Sequence, residues 1–258
     1  MLIESAFLKL PELLLSNFDH GSEVEATIVH LFASALQMEM NARNIPRPFA
    51  SVLTEKPYDG MPSDQKAIRA DLYVDLRSAI CFDGRMLAYG VRPKNWVEAK
   101  APMSTRRRSP AGLRSGAVAR DCLRLCLLPE ELQGPSTATE NGRYLLWILD
   151  CDPRASLQCD WLTTVLRMGE HRLEVEDRGI SLQAGVRTLV FEPNTLKVPK
   201  PLFWGFLLRI GCFTVQSGLH SFTIPDVPDT GFTHESIAQL RALRAIFLAQ
   251  QDQDSCAV

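Results

Sequence analysis

The chain has no marked excess of charge: 28 Lys and Arg stand against 30 Asp and Glu, a formal net charge of -2. As a whole it does not attract nucleic acid or an anionic membrane, so a polyanionic partner has to meet a local basic patch. Cysteine is present without a ligand pattern. Cys81, Cys122, Cys126, Cys151, Cys159, Cys212 and Cys256 form no C-x-x-C pair, which argues against a structural zinc site. "CLRLCLL" reads instead as thiols used as small hydrophobes in a reducing compartment. The five His residues form no H-x-H or H-E-x-x-H, and there is no G-x-G-x-x-G or P-loop, so neither a His-held metal nor a nucleotide cofactor is expected. No run reaches the roughly 18 uncharged apolar residues of a membrane span. The first stretch, "MLIESAFLKLPELLLSNF", carries Glu4, Lys9 and Glu12 around Pro11. It lacks a basic start and a small-residue cleavage site, so it does not read as a signal peptide. These absences together predict a cytoplasmic protein with no membrane partner.

What is present is a normal globular composition, 46% hydrophobic and 22% charged over 258 residues, enough for a sizeable core. Residues 22–40 read as a helix, with Val24, Ile28, Leu31, Phe32 and Ala35 at helical spacing and Ser22 with Glu25 in a capping-box pattern. "FASVLTE" (49–55) reads as a short strand. In "AIRADLYVDL" (67–76), Ile68, Ala70, Leu72, Val74 and Leu76 alternate with Arg69, Asp71, Tyr73 and Asp75, the period of a half-buried strand. Asp83-Gly84 suggests a hairpin within 78–92. "NWVEAK" (95–100) reads as a further strand, Val97 and Ala99 on one face and Trp96, Glu98 and Lys100 on the other. A basic loop, a helix over about 111–128 and the almost wholly apolar strand "RYLLWILDC" (143–151) follow, the last a central strand covered on both faces. Beyond it the text predicts a helix near 155–168, strands at "HRLEVED", "RTLVFEP", "GCFTVQ" and "HSFTIP", and a helix over 234–250 capped by Thr233.

The alternation places Asp71 on the polar side of one strand and Glu98 with Lys100 on one side of another. If the two strands are neighbours, two carboxylates and an ammonium converge. Two hard oxygens suit a cation such as Mg2+, and a cation relieves the repulsion between Asp71 and Glu98.

"RADLYVDL" followed by "WVEAK" resembles the PD-(D/E)xK nuclease superfamily, whose signature is an acid on one strand and a D/E-x-K pair on the next. The resemblance covers residues 22–151. It implies an α/β fold with a restriction-endonuclease-like αβββαβ core, a mixed central sheet flanked by helices. Residues 1–151 then form the nuclease-like core and residues 152–258 a C-terminal α+β extension, separate or part of the same domain. It also implies metal-dependent hydrolysis of phosphodiester bonds, with DNA favoured as substrate, in restriction or anti-phage defence. Carried over residue by residue, Asp71 and Glu98 would be ligands for Mg2+ or Mn2+ and Lys100 would position the attacking water. Glu25, or in its place Glu23, would be the glutamate that many members add from the first helix. Ala70 stands where the signature has proline, and the 27-residue interval from Asp71 to Glu98 needs the 78–92 hairpin to absorb it. Nucleases of this kind often act as homodimers or higher homo-oligomers.

Each residue also has a plainer reading. Glu98 and Lys100 fit a solvated strand face, Glu25 a capping box, Tyr73 an exposed strand position, and Asp75 competes with Asp71 for the ligand role. Arg106, Arg107, Arg108 and Arg114, with Arg120, Arg92 and Lys94, fit either a phosphate clamp for nucleic acid or a solvated basic edge. The alternative function is a non-catalytic nucleic-acid-binding or protein-interaction module on the same fold.

Overall fold

The computed structural model describes residues 2–17, 24–58, 68–77, 92–101, 115–129, 141–150, 152, 160–193, 203–225 and 232–255. Six helices and eight strands lie among them. They are α1 (Leu2–Asn17), α2 (Val24–Ala42), α3 (Pro48–Ser51), β1 (Val52–Pro57), β2 (Arg69–Asp75), β3 (Lys94–Lys100), α4 (Ser115–Leu127), β4 (Asn141–Leu149), α5 (Asp160–Val165), β5 (Gly169–Asp177), β6 (Ile180–Phe191), β7 (Trp204–Ser217), β8 (His220–Ile224) and α6 (His234–Ser255).

The strands join one open, mostly antiparallel sheet in the order β1-β2-β3-β4-β7-β6-β5, with β8 on β7. β1, β2 and β3 form an antiparallel meander. The chain then crosses through α4 and returns in β4, parallel to β3. β4 also pairs with β7 from Arg143↔Ile210 to Leu149↔Trp204, so strands from beyond residue 152 continue the sheet begun by the first half.

Alternation sorts the side chains into two layers, because successive strand residues point to opposite faces. Trp96, Leu145, Trp147, Leu149, Phe206 and Leu208 pack under α4, α5 and α6. Leu72, Val74, Val97, Ala99, Leu146 and Leu207 pack under α1 and α2. β4 is buried along its whole length, as its unbroken apolar run requires of a strand covered on both faces. The opposite facing of Trp96 against Val97 and Ala99 follows the alternation read from "NWVEAK".

α2 buries Ile28, Phe32, Ala35 and Leu36 at the spacing of one helical face. α1 is assigned no element by the sequence reading. Its stripe of Ile3, Phe7, Leu10 and Leu14 is buried despite Pro11 inside the helix. Glu39 of α2 ties the two helices, 2.6 Å from Lys9 and 2.9 Å from Arg43. The expected strand at 49–55 begins one turn late. Pro48, with its preset φ, starts the short helix α3 after Arg47 turns left-handed at φ 55°. The strand runs from Val52. Thr233 caps α6, its hydroxyl accepting from the Ser236 N–H at 3.1 Å. Cys122 and Cys126 are buried, reduced residues of α4. No described helix is long and apolar enough to cross a membrane. The hairpin expected within 78–92 lies outside the described residues.

Candidate metal centre at the end of the meander

The β2–β3 ladder pairs Leu72 with Val97 and Tyr73 with Trp96. The ladder ends at Leu72, and the residue before it, Asp71, joins β3 through its side chain. The Asp71 Oδ2 accepts the backbone N–H of Ala99 at 2.6 Å. Asp71 is therefore fixed to β3 beside Glu98.

Asp75 lies at the other end of β2, opposite Lys94. Arg77 holds it through a 2.6 Å contact from Nη2, and Nε and the backbone N–H also donate to it. Asp71, and not Asp75, is the carboxylate placed against Glu98.

Glu98 is 1% exposed. Tyr58 donates its hydroxyl to Oε1 at 2.6 Å and Arg124 donates from Nη1 to Oε2 at 3.1 Å. A carboxylate buried this deeply needs such partners, because an isolated charge cannot be taken out of water at tolerable cost. Burial pushes the Glu98 carboxyl up to about 8, Asp71 and Asp121 add to the rise, and Arg124 and Tyr58 oppose it.

Lys100 is the last residue of β3. Its amine stands 3.6 Å from Glu25 Oε1 and 3.9 Å from Asp121 Oδ2, so it links α2 on one layer to α4 on the other. Burial alone would lower its pKa; Asp121, Glu25, Asp71 and Glu98 together raise it, so Lys100 stays an ammonium. Glu25 sits in the first turn of α2 and also accepts the backbone N–H of Ala101. Burial and the Asp71 charge raise its pKa against the pull of Lys100. Asp121 is raised by burial and by Asp71 despite Lys100 and Arg124.

Three residues of this cluster were not singled out from the sequence. Tyr58 sits in "KPYDG", which reads as turn chemistry, yet it is 2% exposed and stacks on Trp96 with ring centroids 4.8 Å apart. Asp121 and Arg124 hide in a helix whose apolar spacing dominates. The available signal was Asp121 itself, an acid between Val118, Cys122 and Leu125 on the face that α4 buries. Glu55 is a further acid nearby. It falls opposite Asp71 in the β1–β2 register and adopts φ 53°, a left-handed conformation that costs a non-glycine residue about 1 kcal/mol. Glu25, Glu55 and Asp71 line one open cleft of ≈ 430 Å³ with His30 and Thr54.

Other expectations part from the structure. Tyr73 is 3% exposed and packs on Trp96 at 4.4 Å; it belongs to the core and not to an exposed strand face. Lys94 is buried at the opposite end of β3 from Lys100, with Arg92 just before it. They add no positive charge to this end of the sheet. Arg120 is engaged with Asp177 at 3.2 Å. Glu23, Arg106, Arg107, Arg108 and Arg114 lie outside the described residues.

No family model, curated protein or solved structure matches the chain.

Among the described residues no group of three or more His, Cys, Asp or Glu side chains is gathered closely enough to hold a metal. Mg2+ does not require one, since it is commonly held by one or two carboxylates plus waters and substrate phosphates. The donor chemistry fits that mode. Four carboxylates, Asp71, Glu98, Asp121 and Glu25, interact with two cations, Lys100 and Arg124. Burial is the main cause that raises the pKa values of Glu25, Glu98 and Asp121, and the neighbouring Asp71 charge adds to each rise.

Proposed function

We propose that this protein is a Mg2+- or Mn2+-dependent nuclease that hydrolyses phosphodiester bonds, with DNA as the favoured substrate. The observation that carries the reading is the meeting of Asp71 on β2 with Glu98 and Lys100 on β3, and of Lys100 with Glu25 on α2. Support also comes from the order of elements from α2 to β4. A helix, an antiparallel three-stranded meander, a crossover helix and a parallel return are the arrangement expected of a PD-(D/E)xK core.

On this reading Asp71 and Glu98 would hold the cation. Bound there, it would supply Lewis acidity, offsetting charge on the phosphodiester and lowering the pKa of a water. Lys100, kept protonated by its acidic neighbours, stands at the strand end to orient that water or to offset charge on the phosphate. Tyr58 positions Glu98. Glu25 positions Lys100 and adds negative charge to the cleft. Self-association into a homodimer would let two such sites cut both strands.

A second reading has its own observation. Both Glu98 oxygens are engaged and the residue is almost inaccessible, as in a site kept for structure in a non-catalytic nucleic-acid-binding or protein-interaction module. Incubation of supercoiled plasmid and of RNA with the purified protein in Mg2+ and Mn2+ separates the two, with Glu98→Gln as control. Cleavage by the wild type that the variant lacks supports the nuclease. Absence of cleavage in either metal, with nucleic acid or a protein still bound, supports the module.

A further inference from the structure

Arg124 is a cation already placed where the proposed nuclease needs one. Its Nη1 lies 3.1 Å from Glu98 Oε2 and 3.3 Å from Asp121 Oδ1, so one nitrogen serves two acids. The guanidinium does not make the two-pronged contact that gives arginine its strength toward carboxylates. Its Nε is buried and has no hydrogen-bond partner. Asp121 precedes Arg124 by three residues on α4, so the two face each other on adjacent turns of one helix. Arg124 Nη1 is thus already within reach of Asp121 while it donates to Glu98. Tyr58 holds the other oxygen, Oε1, at 2.6 Å, a contact that does not involve Arg124.

We infer that Arg124 is the resident counter-ion of the metal-free site, built to give up Glu98 Oε2 and pair with Asp121 when a divalent cation enters. The inference rests on the nuclease reading and deepens it. It assigns Oε2, and not Oε1, as the Glu98 oxygen that faces the cation. It assigns Asp121 the role of a receiving site for the displaced guanidinium, acting through Arg124 and not as a ligand. It also explains how Glu98 can be engaged at both oxygens and still belong to a metal centre. A buried carboxylate needs compensation before the cation arrives as well as after.

The test is Mn2+ affinity, measured by titration calorimetry on the full chain without nucleic acid. Arg124→Met removes the competing cation and is expected to bind Mn2+ about tenfold tighter or more. Asp121→Asn removes the receiving site and is expected to bind it more weakly. The double variant decides the route. If Asp121 acts only through Arg124, the double variant binds as tightly as Arg124→Met. If Asp121 is itself a ligand, the double variant binds weakly and the inference is overturned. Arg124→Lys keeps the charge on a single ammonium and guards against a Met variant that does not fold. It is expected to bind tighter than wild type by a smaller factor. Wild type that binds Mn2+ while neither Arg124 variant binds tighter overturns this inference and leaves the nuclease reading standing. Failure of wild type and variants alike to bind Mn2+ overturns both.

Discussion

Tyr58 reaches Glu98 across 40 positions of sequence and donates its hydroxyl at 2.6 Å while its ring lies on Trp96. Packing and polar compensation thus come from one side chain, and substitution separates them. Tyr58→Phe keeps the stack and removes the donor, leaving a buried carboxylate oxygen short of a partner. The expected loss is about 1–3 kcal/mol of stability. Tyr58→Ala also opens a cavity and is expected to cost about 3–5 kcal/mol. Urea denaturation of both variants checks the order, and equal losses would contradict it.

Glu98 predicts a pH dependence of stability. Burial holds its carboxyl near 8 against an ordinary 4.5. Between those values the unfolded chain has released a proton that the folded protein keeps, so this group makes stability fall as pH rises through the window. The slope has a ceiling of about 1.4 kcal/mol per pH unit. Glu98→Gln removes the titration. In metal-free buffer the variant is expected to gain on wild type steadily from pH 4.5 to about 8. A constant difference between the two across that range would contradict the burial argument.

Arg244 fixes the far end of the helix that carries Asp121 and Arg124. From α6 it donates to the Leu127 carbonyl at 2.8 Å and the Leu128 carbonyl at 3.0 Å, capping the C-terminus of α4 with a cation as the helix dipole favours. Arg244→Met is expected to destabilise the protein by about 1.5–3 kcal/mol. The loss should appear as faster amide hydrogen exchange in the last turn of α4.

Gly205 is the point where β7 passes the Phe191 ring. A Cβ there would run into that ring, which is itself buried. Gly205→Ala is expected to cost about 1–3 kcal/mol from overpacking. Phe191→Leu in the same chain should recover part of it. Thermal melts of the single and double variants measure the recovery.

The sequence made the strands around the site legible, because short alternating runs mark them, but not which layer every side chain joins. Alternation in "NWVEAK" holds, with Trp96 in one core layer and Val97 and Ala99 in the other. In the run around "RADLYVD" it breaks before Leu72. Ile68 and Ala70 pack in the layer of Tyr73 and Trp96, while Leu72, Val74 and Leu76 pack in the opposite one. A shared face for Asp71 and Glu98 therefore does not follow from the period. β4 was readable from its unbroken apolar run. Tyr58 was hidden because Gly, Pro and Asp around it signal a turn whatever the turn residue packs against. Arg124 was hidden because its partner Glu98 is a long-range contact, and helical spacing reports only the helix's own face. Arg92 and Lys94 were misplaced for a related reason: nearness to Glu98 in the text puts them at the opposite end of β3.

The central claim is that Asp71, Glu98 and Lys100 act together on a phosphodiester. Single-turnover cleavage of an end-labelled DNA duplex in Mg2+ tests it most directly, comparing wild type with Asp71→Asn and Lys100→Ala. The account predicts cleavage by wild type and a loss of about 10²-fold or more in each variant, with both still folded by circular dichroism. Cleavage undiminished in either folded variant, or no cleavage by wild type in Mg2+ or Mn2+, would contradict it.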